Sequence, residues 1–365
     1  MISYSPILWR YTAKHFFLSF LSLLAILLGV VYLFDTVELL RRAAQYDSVG
    51  IGMITYMAFL KLPEVGQILL PFAILFSAMY SFWSLNRKSE LIVMRSAGVS
   101  AWHFLAPSLI GAFLIGVVTI TAINPLASIL LEKYQSMEET HLNKKSHFVT
   151  LLQNGLWLRQ NDEDGYALIY GREFKPHVWE LSNTIIFKFN KQDELLMRID
   201  GDKAVLGDGY WSIENVAIHR ETPKPELSES YRYPTHLTTE DIDNSFASPE
   251  TLSFWEIRDF INKMEQTGVS TSRLKVHYQS LLSRPLFFLS MVLLAAAVSL
   301  RPVRQGRTGL FIVSGIGIGF IVFFLETVLQ AFGISQKLPI TLAAWAPAIL
   351  TTLMGVTILL SLEDG

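Results

Sequence analysis

The sequence predicts an α+β membrane protein: six transmembrane helices with an antiparallel β-domain inserted between the third and the fourth. Three observations predict it. Of 365 residues, 51% are hydrophobic and 17% charged, against roughly 25% charged in soluble domains. Six apolar runs approach the ~20 residues that cross a hydrocarbon core. Charge is also unevenly spread, because residues 141–250 hold 12 Lys and Arg against 18 Asp and Glu, and the flanks hold 18 against 14. An acidic, water-soluble insert therefore interrupts two apolar halves, which gives segments 1–140, 141–250 and 251–365. The chain has no cysteine, so disulfides, thiolate metal sites and a cysteine nucleophile are excluded. A net charge of −2 gives no reason to expect nucleic acid as a partner.

The first apolar run, Phe16 to Phe34, is uncharged and follows Arg10 and Lys14. It is longer than a signal-peptide core and no small-residue cleavage site follows, so it reads as a retained helix. The second runs from Leu62 to Trp83, with a start as early as Ile54 and kink points at Pro63 and Pro71. The third is Phe104 to Ile123, and its helical pattern continues past Pro125 through Lys133 to Glu139. After the insert come Leu281–Leu300, Leu310–Phe332 and Leu342–Leu360. An unpaired backbone group in hydrocarbon costs several kcal/mol, so a helical bundle is the spanning form.

One set of short loops collects Arg10, Lys14, Arg87, Lys88, Arg95, Arg301, Arg304 and Arg307, the other only Arg41, Arg42, Lys61 and Lys337. Positive-inside bias then puts both termini in the cytoplasm and residues 141–250 outside, which in a bacterium with two membranes is the periplasm.

Within the insert the pattern shortens to alternating runs: Leu156–Leu158, Tyr166–Tyr170, Thr184–Phe189, Leu195–Ile199 and Trp211–Ile218. Turn signals separate them at Asp162–Gly165, Asn190–Asp193, Asp200–Asp202 and Gly207–Gly209. Short strands at this spacing read as an antiparallel sandwich or roll. Pro223, Pro225 and Pro234 mark a looser stretch, and a capping-box pattern at Ser253–Glu256 starts a helix reaching about Gly268.

Three features could carry chemistry. No Gly-x-x-x-x-Gly-Lys-Ser/Thr loop exists, and Gly315, Gly317 and Gly319 lie inside an apolar span, where glycines serve close helix packing. The chain is therefore expected not to hydrolyse ATP and to be a non-catalytic subunit holding no cofactor. Next is the stretch of about 87–98, in which Ser89 caps a short helix, Glu90 suits its positive end and Gly98 stops it. It reads either as an interfacial connector or as a docking helix for a soluble motor. Last are cations near membrane depth on the outward side: Arg41, Arg42, Lys133 and Arg284. Such charges snorkel, pair (Glu64 and Glu326 lie at similar depth) or bind an amphiphilic anion whose phosphates suit Arg and Lys.

Three local patterns then stand out: Phe34-Asp35…Glu38-Leu39-Leu40-Arg41-Arg42, Lys88-Ser89-Glu90-Leu91-Ile92-Val93-Met94-Arg95-Ser96-Ala97-Gly98, and Asn154-Gly155-Leu156-Trp157. Together with the order of spans, they resemble the permease subunits of the lipopolysaccharide-export ABC transporter, the LptF/LptG family, and the LptG type in particular. The most specific element is Ser-Glu-Leu-x-x-Met-x-x-x-Gly.

The resemblance implies a periplasmic β-jellyroll. It implies a coupling helix with Ser89, Glu90, Leu91, Met94, Arg95 and Gly98 against a cytoplasmic ATPase dimer of LptB type, which binds ATP-Mg. Arg41 and Arg42, with Lys133 and then Arg284, would meet lipopolysaccharide. Further implied partners are an LptF-type paralogue, a single-span LptC-type protein and an LptA-type bridge, all at the bacterial inner membrane. Two rivals are a lipoprotein-release permease, disfavoured by the six spans, and a membrane-anchored receptor or assembly scaffold without transport.

Overall fold

The computed structural model of the chain describes residues 6–44, 50–96, 100–142, 148–152, 155–162, 165–175, 178–220, 224–235, 248–266, 270–300 and 308–363. It divides into two compact units, Met1–Tyr134 with Ser253–Ile257 and Ser272–Gly365, and Gln135–Leu252 with Arg258–Thr271.

The helices are α1 (Pro6–Ala43), α2 (Ile51–Arg87), the short α3 (Glu90–Ser96), α4 (Ala101–Val118), α5 (Asn124–His141), α6 (Phe254–Gln266), α7 (Ser272–Ser299), α8 (Thr308–Ile334) and α9 (Ile340–Glu363). Among the described residues six helical stretches are long and apolar enough to cross a membrane. Each expected span lies within one of them to within three residues. Helices α1 and α2 overrun their apolar cores because helical hydrogen bonding continues beyond the hydrocarbon region, where an apolar surface is no longer needed. A π-turn, Thr119–Ile123, joins α4 to α5. It lies just ahead of Pro125, which has no N–H for the helical ladder, and the wider turn absorbs that gap.

Helix α7 is the most buried of the spans. Its hydroxyls meet α9: Ser283 Oγ donates to Ala344 O (3.1 Å) and Thr351 Oγ1 to Ser290 Oγ (2.8 Å). Small residues and interhelical hydroxyl bonds are how helices associate where lipid removes the hydrophobic drive. The glycines of α8 divide by position. A Cβ at Gly315 would lie 2.5 Å from Met79 Cε and one at Gly319 would lie 3.2 Å from Leu75 Cδ2, whereas Gly317 faces open space. Two of the three thus serve close packing against α2.

The second unit holds strands β1 (Phe148–Leu152), β2 (Gly155–Asp162), β3 (Gly165–Lys175), β4 (Glu180–Asn190), β5 (Leu195–Leu206), β6 (Tyr210–His219) and β7 (Glu226–Pro234), paired antiparallel in chain order. Gln160 on β2 donates to Pro234 O (3.1 Å) and accepts from Thr235 Oγ1 (2.6 Å), so the sheet curls until the end of β7 meets β2. The expected roll is therefore one curled sheet. Its inner face closes on Leu158, Ile169, Ile186, Ile199, Trp211 and Ile213, all fully buried.

Two local expectations are corrected. Asp200-Gly201-Asp202, read as a turn, lies inside β5. The pairing skips Arg172 opposite Asn183, Asn183 opposite Asp202, and Asn215 opposite Glu229, so a crease crosses the sheet. Asn183 (φ 50°) and Asn215 (φ 53°) take the left-handed backbone there, and Asn215 Nδ2 donates to Asp202 Oδ2 (3.0 Å). A Cβ at Gly201 would come within 2.2 Å of Ile213 Cγ2, which is the close approach that demands glycine. The stretch read as loose contains β7. As an edge strand it tolerates Pro234 at its end, since no further strand needs the missing N–H. Pro223, Glu163, Asp164 and Asn154 lie outside the described residues. Helix α6 starts where the capping-box pattern puts it, with Ser253 Oγ donating to Glu256 Oε2 (2.7 Å).

Candidate functional site

Where α2 ends, Lys88 N donates to Ser84 O and Ser89 N to Asn86 O. Ser89 then turns the chain with a φ of 60°, an uncommon conformation for a residue with a Cβ. Val93 N donates to Ser89 O (3.2 Å), so Ser89 opens α3 through its carbonyl. Glu90 follows in the first turn, where the helix dipole favours a carboxylate. Leu91 is 4% exposed and Met94 packs beside it on the core of the membrane unit, whereas Val93 is 65% exposed. The short helix therefore has a seated apolar face and an open one. Gly98, the side chain of Arg95, and Arg301, Arg304 and Arg307 lie outside the described residues.

Glu90 has a partner in α1. Tyr11 Oη lies 2.9 Å from Glu90 Oε2 and 3.2 Å from Oε1, and donates to that carboxylate across 79 positions of sequence. Four residues on, the His15 ring lies 3.1 Å through Nδ1 from Ser81 Oγ and stacks on Tyr80 at 6.5 Å. Nothing in the local sequence around Tyr11 signals this contact.

At the other end of α1, Arg41 pairs with Glu38 through two bonds, Nε to Oε2 at 2.9 Å and Nη2 to Oε1 at 2.7 Å, the i,i+3 neighbours of a helix face. Both side chains are largely exposed, and Arg42 is half-exposed beside them. Lys133 on α5 is exposed, with Nζ 5.4 Å from the ring centroid of Tyr56 on α2, an attraction of the cation–π kind. Lys61 bridges α1 and α5: its Nζ lies 3.5 Å from Asp35 Oδ1 on α1 and 5.9 Å from the ring of Tyr134, next to Lys133. Sequence reasoning gave Lys61 only a topological role.

Arg284 lies elsewhere. It lines a cavity of about 220 Å³ between α2, α7 and α8, together with Gln67, Glu326 and Gln330 and apolar walls that include Phe72 and Phe323. Nη1 donates to Gln67 O (3.0 Å), while its buried Nε meets no hydrogen-bond partner among the described residues. Gln330 Nε2 donates to Glu326 Oε1 (3.1 Å). The structure thus places Arg41 and Arg42 in the last turn of α1 and Lys133 midway along α5, and brings Arg284 with Glu326 to a partly open cavity. Among the described residues no three His, Asp or Glu side chains are placed to hold a metal ion.

Comparison with known proteins agrees with this anatomy over nearly the whole chain. The family model for the lipopolysaccharide export system permease LptF/LptG matches residues 10–361. Among curated relatives, the lipopolysaccharide export system permease protein LptG of Escherichia coli strain K12 is 24% identical over 363 residues, 95% of this chain and 94% of the relative. The LptG protein of Haemophilus influenzae is 24% identical over 362 residues, 94% of this chain and 96% of its own length. Six apolar helices around an inserted antiparallel sheet, matched end to end in this way, assign the chain to the LptF/LptG family of lipopolysaccharide export permeases.

Proposed function

We propose that this permease is the lipid-gripping, non-hydrolysing subunit of an ABC transporter, of LptG type, paired with an LptF-type paralogue. The two would enclose a cavity open to the outer leaflet of the inner membrane, with both termini cytoplasmic and the β-domain periplasmic. Lipid A enters with its tails on apolar walls and its phosphates on Arg41, Arg42 and Lys133, and last on Arg284, which lines the cavity between α2, α7 and α8. ATP-Mg bound by two LptB-type ATPase subunits draws the docking helices together through Glu90, Ser89, Arg95 and Gly98, while Leu91 and Met94 seat the helix on its own bundle. The cavity collapses and the lipid rises to the β-domains of this chain, an LptC-type protein and an LptA-type bridge. Lifting acyl tails out of apolar surroundings opposes roughly 25 cal/mol per Å², so several chains together call for an external energy source.

The observation that supports this reading most is the division of labour along α1. Tyr11, near one end, touches the helix expected to dock, while the exposed Arg41 and the half-exposed Arg42 sit at the other end. The test is photo-crosslinking of lipopolysaccharide to a probe beside the pair, in membranes. Arg41→Glu with Arg42→Glu is expected to abolish the crosslink, and a normal crosslink would reduce both residues to topology signals.

A further inference from the structure

Helix α3 has seven residues, well below the ~12–15 an isolated helix needs to be even marginally stable in water. Its orientation therefore depends on its tethers, and the described residues show two. One is apolar: Leu91, with Met94 beside it, on the bundle core. The other is polar and specific: the Tyr11 hydroxyl on the Glu90 carboxylate, at 2.9 and 3.2 Å. We propose that Tyr11 is the positioning residue of the docking helix, and that through this hydrogen bond α1 carries the docked state of α3 to the end bearing Arg41 and Arg42. The inference rests on α3 being the docking helix.

The chemistry permits simultaneous contact. A phenol has one proton to donate, whereas a carboxylate offers about four acceptor directions. Tyr11 uses one of them and aims the group, which leaves lone pairs for a cationic donor on a docked subunit. A carboxylate so held needs no rotamer search on docking.

The mechanics favour α1 over α2 as the rod. Helix α2 leads directly into α3 but carries Pro63 and Pro71 in its interior, and each proline removes a ladder bond and softens the helix. Helix α1 has no interior proline from Pro6 to Ala43. Thirty residues separate Tyr11 from Arg41, about 45 Å at 1.5 Å per residue. Near Tyr11 the helix is held by Thr12, 2% exposed, and by His15 against Ser81 and Tyr80. Its buried side chains Phe16, Phe20, Leu39 and Ala43 pack it along its length, and Tyr32 donates to Thr55 O of α2 (3.2 Å), so it moves as one piece with its packing. A pull on Glu90 thus reaches the arginine pair through one unbroken element.

The test uses the complete transporter in proteoliposomes loaded with lipopolysaccharide. ATPase-subunit binding, nucleotide hydrolysis and lipid release are measured for Tyr11→Phe, Glu90→Gln, both together, and Glu90→Asp. Tyr11→Phe keeps the ring beside His15 and removes only the hydroxyl. It is expected to weaken ATPase-subunit binding about fivefold, the scale of a half-exposed hydrogen bond to a charged group, and to lower lipid released per nucleotide hydrolysed. Glu90→Asp keeps the charge but withdraws it from Tyr11, and should reproduce that loss. The double variant should be no worse than Glu90→Gln alone, because a positioning residue has nothing left to position. Additive losses, a fully active Glu90→Asp, or an unaltered Tyr11→Phe beside an impaired Glu90→Gln would overturn the role of Tyr11 and leave the docking helix standing. A silent Glu90→Gln would remove the docking reading itself, and this inference with it.

Discussion

Arg41 is already occupied. Glu38 grips its guanidinium with the same two-pronged geometry that a phosphate would use, so under the proposed function a lipid phosphate would have to displace a carboxylate. The pair is well solvated, which keeps the displacement cheap. Glu38→Gln should therefore raise lipopolysaccharide crosslinking at Arg41 by no more than about fivefold, the range of an exposed ion pair. A fall in crosslinking would mean that Glu38 orients Arg41 toward the lipid. The i,i+3 spacing carries this contact, because three positions along a helix place two side chains on one face, but matching cations to carboxylates by depth pointed to Glu64 and Glu326 and did not pair Glu38 with Arg41. The Tyr11 bond to Glu90 has no such signal, since 79 positions separate the partners and only the packed bundle joins them. Arg284 falls between these cases. Its depth was readable from its place one turn inside an apolar run, but its turn inward toward Gln67 and the Glu326 cavity depends on which face of α7 meets α2.

At the scale of elements, the spans were the most legible part of the chain, since twenty apolar residues in a row have few other uses. The β-domain was harder to read for a specific reason. Asp, Gly and Asn mark turns because they tolerate a left-handed or open backbone, and a crease through a sheet asks for the same property. Asp200-Gly201-Asp202 and Asn215 thus carry turn chemistry in mid-strand. Strand β7 was obscured by prolines that only an edge position accommodates. The crease makes its own prediction. Gly201→Val would drive a side chain into Ile213 and should destabilise the β-domain by ~1–3 kcal/mol, as overpacking does. Ile213→Ala in the same chain should recover part of that loss by vacating the space. Hydrogen exchange of β5 and β6 amides in the full-length chain reads both effects, and equal protection in Gly201→Val and the parent would refute the close approach.

For the whole molecule, the chain's distribution of charge makes the strongest claim. Lipid extraction works in one direction only if α3 meets the cytosol and the β-domain meets the opposite side, and the proposal takes that orientation from eight cations on one set of short loops against four on the other. A chain without cysteine allows a direct test, because any thiol reactivity then comes from the residue introduced. Lys88→Cys lies in the turn between α2 and α3, exposed at the foot of α3, and Asp193→Cys lies in the exposed turn between β4 and β5. In intact spheroplasts a membrane-impermeant maleimide should label Asp193→Cys and leave Lys88→Cys unlabelled until the membrane is opened. In inverted vesicles the pattern should reverse. The opposite result would put α3 out of reach of any nucleotide-driven subunit and overturn the proposed docking role, so two substituted turns test whether the proposed grip on the lipid and source of force lie on opposite faces of the membrane.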